Sequence, residues 1–582
     1  MELSRRRLLQ MAAVLGGVAV TGVGCSSPSG WPSASAWDQL RRKVGDRLIQ
    51  PTSPLAACFA DAGSGACTQA MVRIQNPFYL QDEAGATQTQ GWLDAWTTAV
   101  SPYAVAATSA GDVAAAVDFA RENDIKLVIK GTGHDYLGRS SAPDSLLVWT
   151  HNMRDVDFSD DFVIDGGTGP GVPALTVQAG ARWLEAYAAA TEVGRYVQGG
   201  GCTSVGASGG FLQGSGYGSF SKRFGTGAGS VLQFEVVTAD GAVRVANAVQ
   251  NPDLFWALRG VGAATWGVIT KTTLLAHPMP HTKGLLTGTI EATSATAYRD
   301  LLAQLCRFIP RLLNPSWGEQ ITFGERGGVN EVALSMVFVD LSVEQAQAVW
   351  EPMVRWLDDY GSEITSRLAF SAMPFKDYWD AAYYDETNPA YITHDPRVGA
   401  PANRFWWSGT QSEVSQYITS YQSRWLPAAM FDRPQELAAL MFEASRHNWF
   451  ALHLNKGLSG ESPAARARDE QTAIHPAAFD AAALILSAQT VQHHYPGVLG
   501  FEPDAATLTA LRQQVDDCMG VFRQALPDAG SYMNEADYFE ADWQNQFWGG
   551  NYERLLQIKR DVDPGNLFTV HHGVGSEDVG AR

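Results

Sequence analysis

The chain reads as an α+β protein, and three observations along its 582 residues carry that reading. From residue 100 to 200 a strand–helix–strand rhythm runs twice. Between about 280 and 500 longer strand candidates alternate with helices, the texture of an α+β domain with an antiparallel sheet. From about 500 the tail is helical until an Asp563-Pro564-Gly565-Asn566 turn precedes a last apolar segment. Apolar residues make up 45% and charged residues 18%, the balance of a well-buried globular chain long enough for two or three domains. The formal net charge of −19 argues against nucleic acid or an anionic membrane surface as partner, since both repel such a protein.

In chain order, residues 1–25 read as an address. Ser4-Arg5-Arg6-Arg7-Leu8-Leu9-Gln10 precedes an apolar run to Val23, the pattern of a twin-arginine-type export signal. Cys25 resembles a lipoprotein acylation site, with Gly22 where a larger apolar residue is usual. Residues 26–99 follow as a tether and N-terminal segment. Within 100–280, GDVAAAVDFARENDI carries Val113, Ala116, Val117 and Ala120 at one-face spacing, and KLVIK is a compact strand. ALTVQAG, RWLEAYAAATEVG and RYVQGG repeat the rhythm, and SVLQFEVVTADGAVRVA is a hairpin turning at Asp240-Gly241. Residues 281–500 supply GLLTGTIEA, EVALSMVFVDL and FALHLNKG as strands and SVEQAQAVWEPMVRWLDDYG as a helix. Residues 501–582 form the last segment.

The cysteines sort by context. Cys58 and Cys67 bracket a short polar loop in a chain read as exported, so a disulfide is expected there. Cys306 and Cys518 lie on helical faces as packed thiols. No C-x-x-C pair suggests a metal, and adjacent strand residues such as His493 and His494 face opposite ways. Cys202 fits none of these settings. It sits in GGGCTSVGASGGFLQGSGYG (199–218), a run too poor in side chains to pack a core, so something rests against its backbone.

Upstream, KGTGHDYLGRSS (130–141) follows a strand and sets glycines around His134, a turn whose inward N–H groups make a nest for an anion such as a pyrophosphate. The later run contains G-x-S-x-G at Gly206–Gly210, which would suit a serine hydrolase using Ser208, yet no strand leads into it and a poor first helical turn follows. It is equally poor as a dinucleotide fingerprint.

Taken together, the two clusters resemble the berberine bridge enzyme-like flavoproteins of the vanillyl-alcohol oxidase / p-cresol methylhydroxylase superfamily. The resemblance continues in NPDLFWALRG (251–260), WGVIT (266–270), SYMNEADY (531–538), FWGGNYERLLQIK (547–559) and DPGNLF (563–568), and its wording is closer to fungal-type members, some of them alcohol oxidases. It implies a split FAD-binding domain, built from the N-terminal half and the tail, flanking the substrate domain. FAD would be bicovalent, held by His134 at the flavin 8α-methyl and by Cys202 at C6. The other FAD contacts it implies are Gly131, Thr132, Gly133, Asp135, Gly138, Arg139, Ser140 and Ser141 in the first turn. In the second run they are Gly201, Val205, Gly206, Ser208, Gly209, Gly210, Tyr217 and Gly218, followed by Val268 and Ile269.

On the substrate face the resemblance implies Tyr532 and Asn534, with Glu535 standing where many members have a second tyrosine. A base there removes a hydroxyl proton while hydride leaves the adjacent carbon for flavin N5. For Tyr532 to serve, its pKa must fall from ~10. Ala207 lies where the family places a residue over the oxygen-access pocket, and its small side chain points to reaction with O2. On an alternating strand, His453 and Asn455 share one face and Lys456 takes the other. The expected activity is oxidation of an alcohol, sugar hemiacetal or related small molecule with release of H2O2, by a monomer or dimer. A dehydrogenase serving a quinone or protein acceptor, a hydrolase at Ser208 and a non-catalytic flavin-binding protein are the alternatives.

Overall fold

The computed structural model describes residues 31–577, so the export and acylation readings at 1–25 lie outside the described residues. Tyr103–Ala106, Ser145–Trp149 and Lys126–Lys130 form a parallel ladder closed on one edge by the antiparallel Leu48–Ile49. Parallel neighbours need a crossover. Helix Ala110–Asn123 supplies it, capped by Ser109 and burying Val113, Ala116, Val117 and Ala120 as their spacing predicts.

A six-stranded sheet follows, with every pair antiparallel. Its hairpin Val231–Val237 to Val243–Asn247 turns at Gly241, whose φ of +79° suits glycine. The second strand–helix–strand unit forms in the order the sequence predicts but pairs differently from the first. Helix Trp183–Glu192 forms, but Arg195–Val197 pairs with the far end of Val268–Pro278, so no parallel pair results. That long strand carries Val172–Gln178 further along the same edge.

The third sheet has nine strands, in the order Ile364–Pro374, Thr282–Ala292, Val329–Val339, Trp317–Arg326, Phe450–His453, Ala481–Val491, Gln416–Pro427, Thr89–Trp92 and Trp96–Thr97. The ladder is antiparallel except where Gln416–Pro427 meets Thr89–Trp92. The segment read as an N-terminal tether thus ends as an edge of the substrate-domain sheet. Leu286, Ile321, Phe323, Leu334 and Met336 from this sheet share one core with Leu301 and Leu305 of helix Ala295–Phe308 and Trp350 of helix Val343–Tyr360.

Helix Ala505–Ala525 adds Val515, Cys518, Met519 and Phe522 to that same core. Beyond it the tail packs into the other domain, where Phe568 meets Val113 and Val148 and Leu555 meets Trp266 and Phe255. Cys58 and Cys67 form a disulfide, and Cys306 and Cys518 are buried free thiols. The three sheets converge on the Gly-rich run.

Candidate functional site

A cavity of about 380 Å3 lies where the turn after Lys126–Lys130, the Gly-rich run, the nine-stranded sheet and residues 532–535 meet. It gathers the candidate residues from both clusters and the tail, apart from Gly138, Ser141 and Val268. Each of those three is committed elsewhere. A Cβ on Gly138 would meet the Trp96 indole at 2.5 Å. Ser141 clamps Ala99, donating to its carbonyl at 2.7 Å and accepting from its N–H at 2.9 Å. Val268 is buried in the core around Phe568.

The glycines divide into two kinds. A Cβ at Gly218 would sit 1.9 Å from the Gly199 carbonyl oxygen, so backbone packing demands glycine there, and one at Gly214 would sit 1.9 Å from Asn534 Nδ2 and displace that side chain. Gly209, at φ +81°, has nothing within 4 Å of such a Cβ, and Gly201 has only Ser219 Oγ at 3.9 Å. These open positions line the cavity and leave a side-chain-free cradle.

His134 comes from the first turn and Cys202 from the run, and Ser204 lies between them. Its Oγ is 3.0 Å from His134 Nε2 and 3.9 Å from Cys202 Sγ. Burial, with the Arg182 guanidinium adding to it, holds the imidazole down to about 4, so it is neutral. Burial, with the Glu413 charge adding to it, pushes the Cys202 thiol up to about 12. Arg139 donates from Nε to Asp135 Oδ1 at 2.7 Å and from Nη2 to Asn534 Oδ1 at 3.2 Å, while its Nη1 is buried without a partner. Gly206 N–H donates to Thr132 Oγ1 at 3.1 Å, locking the two clusters together.

Opposite stand Tyr532, Asn534 and Glu535. Asn534 Nδ2 donates to the Tyr532 hydroxyl at 3.3 Å, and the Tyr532 ring meets Tyr217 edge to face at 5.1 Å. Burial, aided by the Glu535 charge, pushes the phenol above its ordinary value, so the lowered pKa expected of a base at Tyr532 is absent. Glu535 is ion-paired with Lys456. Strand Phe450–His453 stops before Asn455, and the turn that follows brings His453, Asn455 and Lys456 to one cavity, which corrects the opposite-face expectation for Lys456.

Two carboxylates in the cavity had no distinguishing signal in the sequence. Glu413 ends a short polar 3-10 turn; the residue is exposed at its surface side, yet its carboxyl lines the cavity, where desolvation, with the Glu535 charge adding, raises its pKa to about 7. Glu319 lies inside strand Trp317–Arg326 at φ +67°, a strained backbone for a non-glycine residue, and Ser219 Oγ hydrogen-bonds its carboxylate. Tyr136 also lines the cavity, its ring 5.0 Å from that of Tyr421.

Ser208 Oγ bonds Thr272 Oγ1 at 2.7 Å, and among the described residues no histidine hydrogen-bonds to it, so the hydrolase reading lacks a base. Ala207 is fully buried in the core directly below the run, outside the cavity lining.

The lining suits a flat, anionic dinucleotide. An open glycine cradle and an unpartnered buried Arg139 Nη1 await an anion, while Ile269, Val205 and Phe211 supply an apolar wall. No group of His, Cys, Asp and Glu among the described residues could hold a metal ion.

Comparison with known proteins agrees with this lining. The family described as an FAD binding domain matches residues 101–247, and that described as berberine and berberine-like matches 531–575. An FAD-linked oxidoreductase of Arthroderma otae is 30% identical, covering 94% of this chain and 88% of its own length. The VAO-type flavoprotein oxidase VAO615 of Thermothelomyces thermophilus is 28% identical, covering 94% and 92%. The crystal structure of the VAO-type flavoprotein MtVAO615 from Myceliophthora thermophila superposes with a TM-score of 0.76 at 25% identity, over 95% of this chain and 96% of that one. A glucooligosaccharide oxidase from Acremonium strictum, described with a 6-S-cysteinyl, 8α-N1-histidyl FAD, shares the fold at 20% identity and a TM-score of 0.61, covering 90% and 99%.

Proposed function

This chain belongs to the VAO-type, berberine bridge enzyme-like FAD-linked oxidoreductases, and we propose that within them it is an oxidase of an alcohol, sugar hemiacetal or related hydroxyl-bearing small molecule. Bicovalent FAD would be held by His134 and Cys202. The observation that carries the reading is the shared cavity, in which an imidazole and a thiol from separate elements face Tyr532, Glu535, Lys456 and Glu413. The Acremonium oxidase, with its cysteinyl and histidyl linkages, supports the pair of tethers by analogy. Bound FAD supplies a two-electron hydride acceptor that O2 can reoxidise with release of H2O2.

The chain's own residues do the rest. Open glycines and Arg139 Nη1 receive the anionic part of the cofactor. Lys456, held by Glu535, offers its ammonium to the substrate oxygen, and Glu413 accepts the proton leaving it. Tyr532, a neutral phenol, orients that oxygen by a hydrogen bond. Residues 1–25 would direct export, possession of a disulfide at Cys58–Cys67 being in keeping with an oxidising compartment. Lipidation at Cys25 is tested by the mass of the mature N-terminus.

Acid precipitation tests the tethers. Wild-type protein keeps its flavin in the pellet, and a His134→Ala/Cys202→Ala double variant releases it to the supernatant. Free FAD from the wild type overturns the bicovalent reading. A screen of alcohols and sugars for H2O2 release tests the oxidase, and flavin that is bleached by substrate yet stays bleached in air assigns a dehydrogenase instead.

A further inference from the structure

The two tethering residues are brought together by one hydroxyl group. Ser204 is 1% exposed, and its Oγ contacts both His134 Nε2 and Cys202 Sγ. Its backbone is fixed from behind. The Ser204 carbonyl accepts from Gln81 Nε2 at 2.5 Å, and Gln81 Oε1 accepts from Arg182 Nε at 2.5 Å. Arg182 is fully buried and braced by Asp82 at 3.1 Å and Glu185 at 3.3 Å. Helix Pro77–Asp82 thereby clamps the Gly-rich run at Ser204 and leaves its hydroxyl as the free rotor between the two nucleophiles.

A neutral imidazole has two tautomers, and only the one protonated at Nε2 presents a lone pair at Nδ1. The described hydrogen bonds of His134 are both at Nε2, the shorter to Ser204 and the other, at 3.4 Å, to Gln81 Nε2. Gln81 Nε2 gives one N–H to the Ser204 carbonyl and its other lies 3.4 Å from His134 Nε2, so at 3.0 Å the serine oxygen is the better-placed partner. Cys202 has a different need. A half-buried thiol with little thiolate reacts only when its sulfur is correctly aimed, and Ser204 Oγ lies beside it as a hydrogen-bond partner.

We propose that Ser204 is the positioning residue for attachment of the flavin to both tethers. Its oxygen accepts a hydrogen bond from His134 Nε2–H, which leaves the Nδ1 lone pair to bond the cofactor, and holds the Cys202 S–H by a second hydrogen bond that orients the sulfur. The proposal rests on the bicovalent reading above. Each attachment joins a protein N–H or S–H to a flavin C–H with loss of two electrons and two protons. O2 takes these up as H2O2, so each bond consumes one O2. The neutral state of His134 is consistent with this, since a protonated ring has no lone pair to offer.

The test counts bonds rather than turnover. Wild type, Ser204→Ala, Ser204→Thr and Ser204→Val are purified with FAD, incubated in air and sampled over time. Denatured mass and peptide mapping then report flavin on the His134 and Cys202 peptides. The expected result is that Ala and Val variants retain FAD non-covalently but attach it roughly tenfold more slowly at both sites, the rate equivalent of one lost hydrogen bond. Thr, which restores the hydroxyl, recovers both bonds. The near-isosteric Thr and Val pair separates the hydroxyl from packing and decides the matter if Ala fails to fold. Ala and Val variants that become bicovalent as fast as wild type overturn the role of Ser204 alone. A wild type whose FAD is fully released by acid overturns the bicovalent reading and this proposal together.

Discussion

At the scale of single residues, the cavity reverses the roles that side-chain type alone suggests. Tyr532 is a phenol pushed away from ionisation by burial, whereas Glu413, a carboxyl in an unremarked polar loop, is raised to about 7. An acceptor titrating near neutrality is matched to removing a hydroxyl proton. The sign is fixed by the direction of that shift: Glu413 is protonated and idle below about 7 and becomes an acceptor above it. Measured as H2O2 release with the best substrate of the screen, kcat/KM of the wild type therefore rises through pH about 7. Glu413→Gln flattens that limb and lowers the rate about a hundredfold, and survival of the limb in the variant assigns the proton to another group. His134 and Cys202 were legible because each stands in a Gly-rich turn that has no packing use for it. Glu413 and Glu319 were not, because neither loop polarity nor strand alternation distinguishes a carboxylate aimed at a cavity from one aimed at water.

At the scale of elements, departures from regular geometry point side chains into the site. Strand Trp317–Arg326 keeps its pairing register through Glu319 despite the φ of +67° there. A β-branched residue, favoured in strands, is disfavoured at such a φ. Glu319→Val is thus expected to lower stability by about 1–2 kcal/mol, while Glu319→Gly holds or raises it; thermal melts of the two variants check this, and a Val variant as stable as wild type removes the strain argument. The early end of strand Phe450–His453 is the second departure. Alternation extended through 456 puts Lys456 on the wrong face, and only the turn at 454–456 brings it to Glu535. The disulfide between Cys58 and Cys67 closes a loop with a sequence separation of 9. On chain-entropy grounds, reduction or Cys58→Ser/Cys67→Ser costs about 2.5 kcal/mol, readable as a lowered Tm by calorimetry with and without reductant.

At the scale of the whole molecule, the two domains are joined by buried charge. Asp469, at the end of helix Pro463–Asp469, accepts from the Thr226 N–H at 2.9 Å and from its hydroxyl at 2.8 Å, fastening the loop beyond the nine-stranded sheet to the Gly-rich domain. Burial raises Glu461 and Asp469 above ordinary carboxylates, the Asp469 charge adding to the shift on Glu461, with Arg466 3.7 Å from Glu461 and the buried Lys222 nearby. A carboxyl whose folded-state pKa is raised loses stability as pH rises through that pKa. Glu461→Gln is accordingly expected to raise Tm at pH 8, with the gain shrinking toward pH 5; an equal Tm difference at both pH values excludes the pair as its source. The sequence by itself determined the local chemistry: the glycine turns, the helix faces at Val113–Ala120, the hairpin at Asp240-Gly241 and the two tethering candidates. Those features depend on spacing and backbone freedom within a few residues. Only the tertiary structure decided that Thr89–Trp92 joins a sheet centred some 300 residues away, that the helix Ala505–Ala525 belongs to that sheet's core, and that Glu413 and Lys456 meet one cavity. Such meetings arise from packing between distant segments and from desolvation at the point of contact, and neither leaves a periodic trace in the chain.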